Sequence, residues 1–280
     1  MADKSRLYRC GSELITKTLI PKEKKDWSVI WQEYYPPVAK FNFIGKPWAD
    51  PDIGEPKFNP KWNQIDEKID RRSHLGEYKL SKDGYPLNPM GRTGIRMRGV
   101  LGRWGPNHAA DPIVTRWKRD RSKNIIKDPI SNKPILQFVS ILRSDVMEWA
   151  IPGGMVDPGE QVSDTLKREF CEESLNFLEK SVEERKQIQK GLETILDKSN
   201  GTIIYRGVVD DPRNTDNAWI ETVAVNFHDE DGSVLDHINL CAGDDAQSVN
   251  WVDIDRSKLR LYANHLKFIE ITVENRMGNW

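Results

Sequence analysis

From about residue 111 onward, short apolar, β-branched runs alternate with polar breaks. Pro112–Lys118 and Ile135–Leu142 (ILQFVSIL) read as strands, as do Thr202–Val209 (TIIYRGVV), Trp219–Phe227 (WIETVAVNF) and Ser248–Ile254 (SVNWVDI). Between the second and third lies a helical stretch, Gln161–Lys198, in which Val162, Leu166 and Phe170 recur at the i, i+4 spacing of a buried face. A last helix is expected to start near Tyr262 and end before Trp280. Strands around a central helix predict an α/β fold, with a mixed sheet and helices on its faces.

The first ~110 residues lack such periodicity. They are punctuated by Pro, Trp and Tyr, as in Tyr34-Tyr35-Pro36-Pro37 and Pro47-Trp48-Ala49-Asp50-Pro51. This composition predicts turns and short extended pieces. The expected organisation is a loop-rich N-terminal cap over 1–110 and a second domain over 111–280. The cap's aromatic side chains are expected to serve as anchors on the neighbouring domain.

Charge narrows the function. With 42 basic and 43 acidic side chains, the net charge is -1. Nucleic acid is therefore not an expected partner, since its backbone wants a basic surplus. Three cysteines (Cys10, Cys171, Cys241) are too few and too uneven for a disulfide framework, which suits a reducing, cytoplasmic compartment. No apolar run reaches the ~18 residues of a membrane span, so direct membrane insertion of this segment is not expected. The N-terminus has no signal-peptide core.

The densest chemistry lies between Trp149 and Asn176. At about 100° per residue, Glu172 and Glu173 fall on either side of Glu169 on one helix face. Like charges at this spacing repel. A hard divalent cation would offset that repulsion. Leu166 and Phe170 point the other way, towards a core. Gly153-Gly154 allows the backbone to approach a ligand closely, and a carbonyl from that turn is a candidate metal ligand. Glu160 sits at the helix start, where the dipole favours a carboxylate. Three clustered glutamates alone would read as a solvated face. The glycines and Arg168 at these spacings change that reading.

Gly154, five residues, Glu160, seven residues and Arg168-Glu169-Phe170-Cys171-Glu172-Glu173 together resemble the Nudix box. The likeness breaks only at Leu175 and Asn176, where the box has a glycine and an apolar residue. Longer stretches carry a wider resemblance: Pro86–Gly94, Trp104–His108, Val114–Trp117, Asp210–Trp219 and Leu261–His265. They are similar to the mitochondrial ADP-ribose pyrophosphatases and, equally, to the C-terminal domain of ADP-ribose-gated melastatin-type cation channels.

The resemblance implies a Nudix α/β/α sandwich with an N-terminal cap. It implies Mg²⁺, or Mn²⁺, held by Glu169, Glu172, Glu173 and Gly153, and hydrolysis of ADP-ribose to AMP and ribose 5-phosphate. Gly154, Glu160 and Arg168 take supporting roles. The general base is either a box glutamate or an acidic residue on a distant loop, for which Asp244 and Asp245 are candidates. Asp211 and Arg213 match residues that contact ADP-ribose in the channel domains. An arginine fork suits a diphosphate, although the stretch also reads as a turn-rich loop. Tyr262, Asn264 and His265 match contacts to the terminal ribose and phosphate, and Thr115 and Arg116 are weaker candidates near the adenosine. His74, His108, His228 and His237 show no metal-ligand spacing and read as structural or exposed.

Three functional readings follow. The first is a catalytically intact channel-type Nudix domain attached to a tetrameric channel, on the cytoplasmic face of a membrane. The second is a non-catalytic sensor in the same setting. The third is a free hydrolase, for which a mitochondrial location is also compatible. The intact glutamates favour turnover. A Nudix hydrolase for another dinucleotide, such as NADH or a diadenosine polyphosphate, is opposed by Asp211, Arg213 and the Tyr262–His265 set.

Overall fold

A computed structural model describes residues 6–144, 147–175, 181–197, 199–232, 234–235, 240–241, 246–262 and 264–280. Asp244 and Asp245, the loop candidates for the base, lie outside these residues, as does His237. The chain divides into two compact units.

The first unit comprises Met1–His108, Asp157–Gly159 and Gly207–Glu221. It is thus made of three segments of the chain. Its strands are short: β1 (Leu7–Cys10), β2 (Glu13–Thr16), β3 (Val38–Lys40), β4 (Ile65–Asp66), β5 (Ile69–Asp70) and β6 (Arg96–Gly99). β1 and β2 form an antiparallel hairpin, and β3 runs parallel to β6. With so little ladder, side chains hold this unit together. The aromatic rings find partners within it, mainly arginines. Arg92 lies over Trp27 at 4.8 Å and Tyr34 at 5.1 Å, and Arg98 over Phe43 at 4.5 Å and Trp104 at 4.9 Å. Asp50 is buried between Arg71 and Arg103 and also accepts the Trp104 amide.

The segment 207–221 is tied in by polar bonds. Asp216 accepts the Tyr34 hydroxyl at 2.6 Å and the Thr93 amide at 2.7 Å. Asn88 donates to the Thr215 carbonyl, and Asn217 donates to the Pro86 carbonyl while accepting the Met97 amide. These bonds satisfy backbone groups that an irregular, buried chain would otherwise leave orphaned.

The second unit comprises Ala109–Val156, Glu160–Arg206 and Thr222–Trp280. The remaining elements are β7 (Gly105–Trp117), β8 (Leu136–Arg143), β9 (Trp149–Ala150), β10 (Gly154–Met155), α1 (Val162–Leu175), α2 (Val182–Ile195), β11 (Thr202–Val208), β12 (Ala218–Asp229), β13 (Ala246–Asp253) and α3 (His265–Arg276). The sheet order is β11-β12-β7-β8-β13, with β10 added to β7 and β9 to β8. β7, β8 and β13 pair antiparallel. Bonds between β7 and β12 advance together along both strands, Asp111 with Thr222 and Thr115 with Phe227, the sense of a parallel pair. The sheet is thus mixed, and the fold is the α/β class expected. Leu166 and Phe170 of α1 pack into a buried cluster with Val114, Val139, Val223 and Phe227.

Two elements differ from expectation. β7 begins at Gly105 rather than Pro112. Gly105, Pro106 and Asn107 are turn formers by composition, and Asn107 does spend its side chain on the backbone of Arg103 and Gly105. The single helix expected over Gln161–Lys198 is two helices. The last turn of α1 is occupied from elsewhere: Leu175 bridges Cys241, whose amide donates to the Ser174 carbonyl at 2.9 Å. Among the described residues, no helix is long and apolar enough to cross a membrane.

Candidate active site

β9 and β10 are two residues each, and they clamp a tight turn at both ends. Ala150 pairs with Ile141 of β8, and Gly154 pairs with Ala110 of β7. The intervening Pro152-Gly153 turn is thereby tied to β8 and β7. Gly153 donates its amide to the Glu173 carboxylate at 2.8 Å. A Cβ on Gly154 would collide with the Glu169 carboxylate, and one on Gly153 with Asp111. A larger residue at either position would have to displace an acidic side chain.

Glu169, Glu172 and Glu173 share one face of α1. Glu169 and Glu173 are buried, whereas Glu172 is partly exposed. Arg168 supplies a cation beside them. Its Nε and Nη2 grip Glu160 at 2.9 and 3.0 Å, and its Nη1 reaches Glu169 at 2.8 Å and Glu172 at 3.2 Å. Nη2 also donates to the Met155 carbonyl, which ties α1 to β10. Glu160 is fixed in turn by the Thr165 hydroxyl at 2.7 Å. Burial pushes the Glu169 carboxyl up to about 7, against the pull of Arg168. One guanidinium thus meets three carboxylates, Glu160, Glu169 and Glu172, an excess of negative charge on oxygen donors. That donor set fits a hard divalent cation. Cys171, between the box glutamates, has its thiol pushed up to about 12 by burial, so it is no nucleophile near neutral pH.

The remaining candidates fall in several places. His265 begins α3, and its Nδ1 accepts the Ile151 amide at 2.9 Å, which puts the proton of a neutral ring on Nε2. The imidazole thereby braces the residue before the Pro152-Gly153 turn. Tyr262 lies edge-on to His265 at 6.0 Å, with the Arg143 guanidinium over its ring at 5.1 Å. Asn264 caps α3 with its backbone and lines a surface depression with Arg256, Lys267 and Trp280; none of the box glutamates lines that depression. Thr115 is fully buried, with its hydroxyl engaged by Asn226, His228 and the Phe227 carbonyl. Arg116 bonds Gln137 and lies over Trp251 at 4.0 Å. In the first unit, Asp211 and Arg213 face each other through two bonds of 2.8 Å.

Sequence reasoning passed over a cluster in the first unit. One ligand-type atom from each of His74, His108 and Glu221 lies within 4.8 Å of the others. These residues are far apart in sequence, so spacing gave no signal.

Comparison with known proteins gives two family matches, a NUDT9-like N-terminal domain over residues 20–105 and a NUDIX domain over residues 137–270. The chain is 52% identical over 280 residues to the mitochondrial ADP-ribose pyrophosphatase of Rattus norvegicus, covering 99% of this chain and 79% of that one. It is 45% identical to a nudix hydrolase of Caenorhabditis elegans, covering 91% of this chain and 90% of the relative. It is also 47% identical to a melastatin-type transient receptor potential cation channel of Nematostella vectensis, covering 90% of this chain but only 16% of the channel.

Proposed function

Because the chain belongs to the ADP-ribose pyrophosphatase family of Nudix hydrolases, we propose that it cleaves the pyrophosphate of ADP-ribose to give AMP and ribose 5-phosphate. The observation that carries this reading is the convergence of Glu169, Glu172 and Glu173 on one face of α1, beneath the Gly153-Gly154 turn. Glu169, Glu172, Glu173 and the Gly153 carbonyl are the ligands for Mg²⁺, with Mn²⁺ as an alternative. When bound, the metal neutralises phosphate charge and activates water.

The chain's own residues set up the reaction. Arg168 holds Glu169 and Glu172 side by side on the helix face, and Glu160 and Thr165 hold Arg168. The Gly153 amide fixes the Glu173 carboxylate. His265 keeps Ile151, and with it the turn, in register. Arg213, pre-aligned by Asp211, is the diphosphate contact, and Tyr262, Asn264 and His265 contact the terminal ribose phosphate. The water-activating base is a box glutamate or one of Asp244 and Asp245.

A second reading is favoured by the identity to the Nematostella channel: the same chain chemistry within a larger, channel-forming protein. The higher identity to the rat enzyme favours the free hydrolase. The test is product formation from ADP-ribose with Mg²⁺, comparing the unaltered chain with Glu172→Gln plus Glu173→Gln. AMP and ribose 5-phosphate from the unaltered chain, and none from the folded double variant, supports hydrolysis. Binding without product removes the enzyme reading and leaves a sensor. Arg213→Ala is expected to raise KM for ADP-ribose about tenfold while changing kcat less.

A further inference from the structure

His74, His108 and Glu221 all belong to the first unit and come from three separate places in the chain. His74 lies in the turn bridged between Ser73 and Gly76, His108 in β7 and Glu221 in β12. The imidazoles are tilted by 55° with centroids 4.9 Å apart, an arrangement that is not a stack. Glu221 is wholly buried. An ionised carboxylate there needs compensation. It receives two N–H bonds, from the His74 amide at 2.6 Å and the Trp219 indole at 2.7 Å, one on each oxygen. A carboxylate offers about four lone-pair positions. A second lone pair on each oxygen therefore remains for a ligand. The His108 Nε2 is buried and has no hydrogen-bond partner among the described residues.

We propose that His74, His108 and Glu221 form a binding site for a zinc-class divalent cation, distinct from the all-oxygen site on α1. Two imidazoles and one carboxylate are a borderline donor set, preferred by Zn²⁺ and its neighbours over Mg²⁺. Donors around a tetrahedral zinc sit on the order of 3.3 Å apart. Drawing together atoms that already lie within 4.8 Å takes only small side-chain movements. The Trp219 and His74 N–H groups orient the carboxylate as the outer shell of a metal site does. The fourth coordination position is left for water.

The cation would work as a staple. The first unit's own strands, β1–β6, are two to four residues long. Joining the His74 turn to β7 and β12 fixes a loop-rich segment that its short ladders hold weakly.

The test uses the full chain carrying Glu172→Gln and Glu173→Gln, stripped with chelator and titrated with Zn²⁺. The expected result is one Zn²⁺ bound with a rise in melting temperature that Mg²⁺ does not reproduce. Adding His74→Ala or His108→Ala should weaken Zn²⁺ binding about tenfold or more and abolish the rise. Equal Zn²⁺ binding by the folded His108→Ala protein, or no binding before that change, overturns the proposal. If the histidine variants do not fold, ¹⁵N-histidine spectra of the parent protein decide. Zn²⁺ must shift the His74 and His108 rings, and rings that stay unmoved at saturation overturn it.

Discussion

Arg168 and Glu160 meet fork to fork, Nε on one carboxylate oxygen at 2.9 Å and Nη2 on the other at 3.0 Å. The same guanidinium still reaches Glu169 and Glu172. Lysine cannot supply that many directed donors from one head group. Arg168→Lys is therefore expected to leave the fold intact while lowering kcat/KM for ADP-ribose by about tenfold or more, with a higher Mg²⁺ requirement. A Mg²⁺ titration of the initial rate checks this. An unchanged midpoint would show that Arg168 is merely structural.

Gly154→Ala places a methyl against the Glu169 carboxylate. Overpacking of this kind costs about 1–3 kcal/mol. It should also displace Glu169 from its place beside Glu172. Urea unfolding measures the first effect and steady-state turnover the second. Full activity in this variant would mean that the close approach is incidental.

Asp50 is 1% exposed as a side chain and serves two arginines. Burial raises its carboxyl, but bonds from Arg71, Arg103 and the Trp104 amide outweigh this and hold it below the usual carboxylate range. The stability it gives is present above that range and is lost as pH falls through the folded value. Asp50→Asn should cost roughly 3 kcal/mol near neutral pH, because Arg71 stays buried with less compensation. Denaturant midpoints at two pH values would read both the loss and its pH dependence.

His228 carries a dependence of the same sign in a higher pH window. Burial first, and Arg276 second, push its ring down to about 4. The folded state then resists a proton that the unfolded chain accepts near 6.5. Stability is intact above 6.5 and falls between there and about 4, by at most roughly 3 kcal/mol. His228→Gln should be less stable than the parent at pH 7.5, yet lose less on acidification to pH 5. Parallel urea curves for the two proteins at both pH values would test the sign.

The box was legible in the sequence because everything in it is local. Gly154, Glu160, Arg168 and the glutamates all fall between residues 154 and 173, so spacing alone placed them together. The strands of the second unit were legible for the same reason, through β-branched runs such as those in β8 and β12. What escaped was set from a distance. Ser174 in α1 gives its carbonyl to the Cys241 amide. The start of β7 hides behind turn-forming residues that Asn217, just before β12, pins from across the chain by accepting the Gly105 amide on its carbonyl. The role of Thr115 follows from Asn226 and His228 on a neighbouring strand. The His74, His108 and Glu221 cluster exists only once three distant segments have met.

The segment 207–221 belongs to the first unit although most of that unit precedes it by a hundred residues and more. Its Thr215, Asp216 and Asn217 are bonded to Asn88, Thr93 and Pro86. A gene fragment ending near residue 110 would encode neither these partners nor Trp219 and Glu221. The N-terminal part therefore cannot be exchanged between proteins as a cassette, since a recombination joint at its end severs a folding unit. Nor can that unit finish folding on the ribosome until the stretch through residue 221 has emerged. The N-terminal region and the region carrying the box must be inherited and synthesised together.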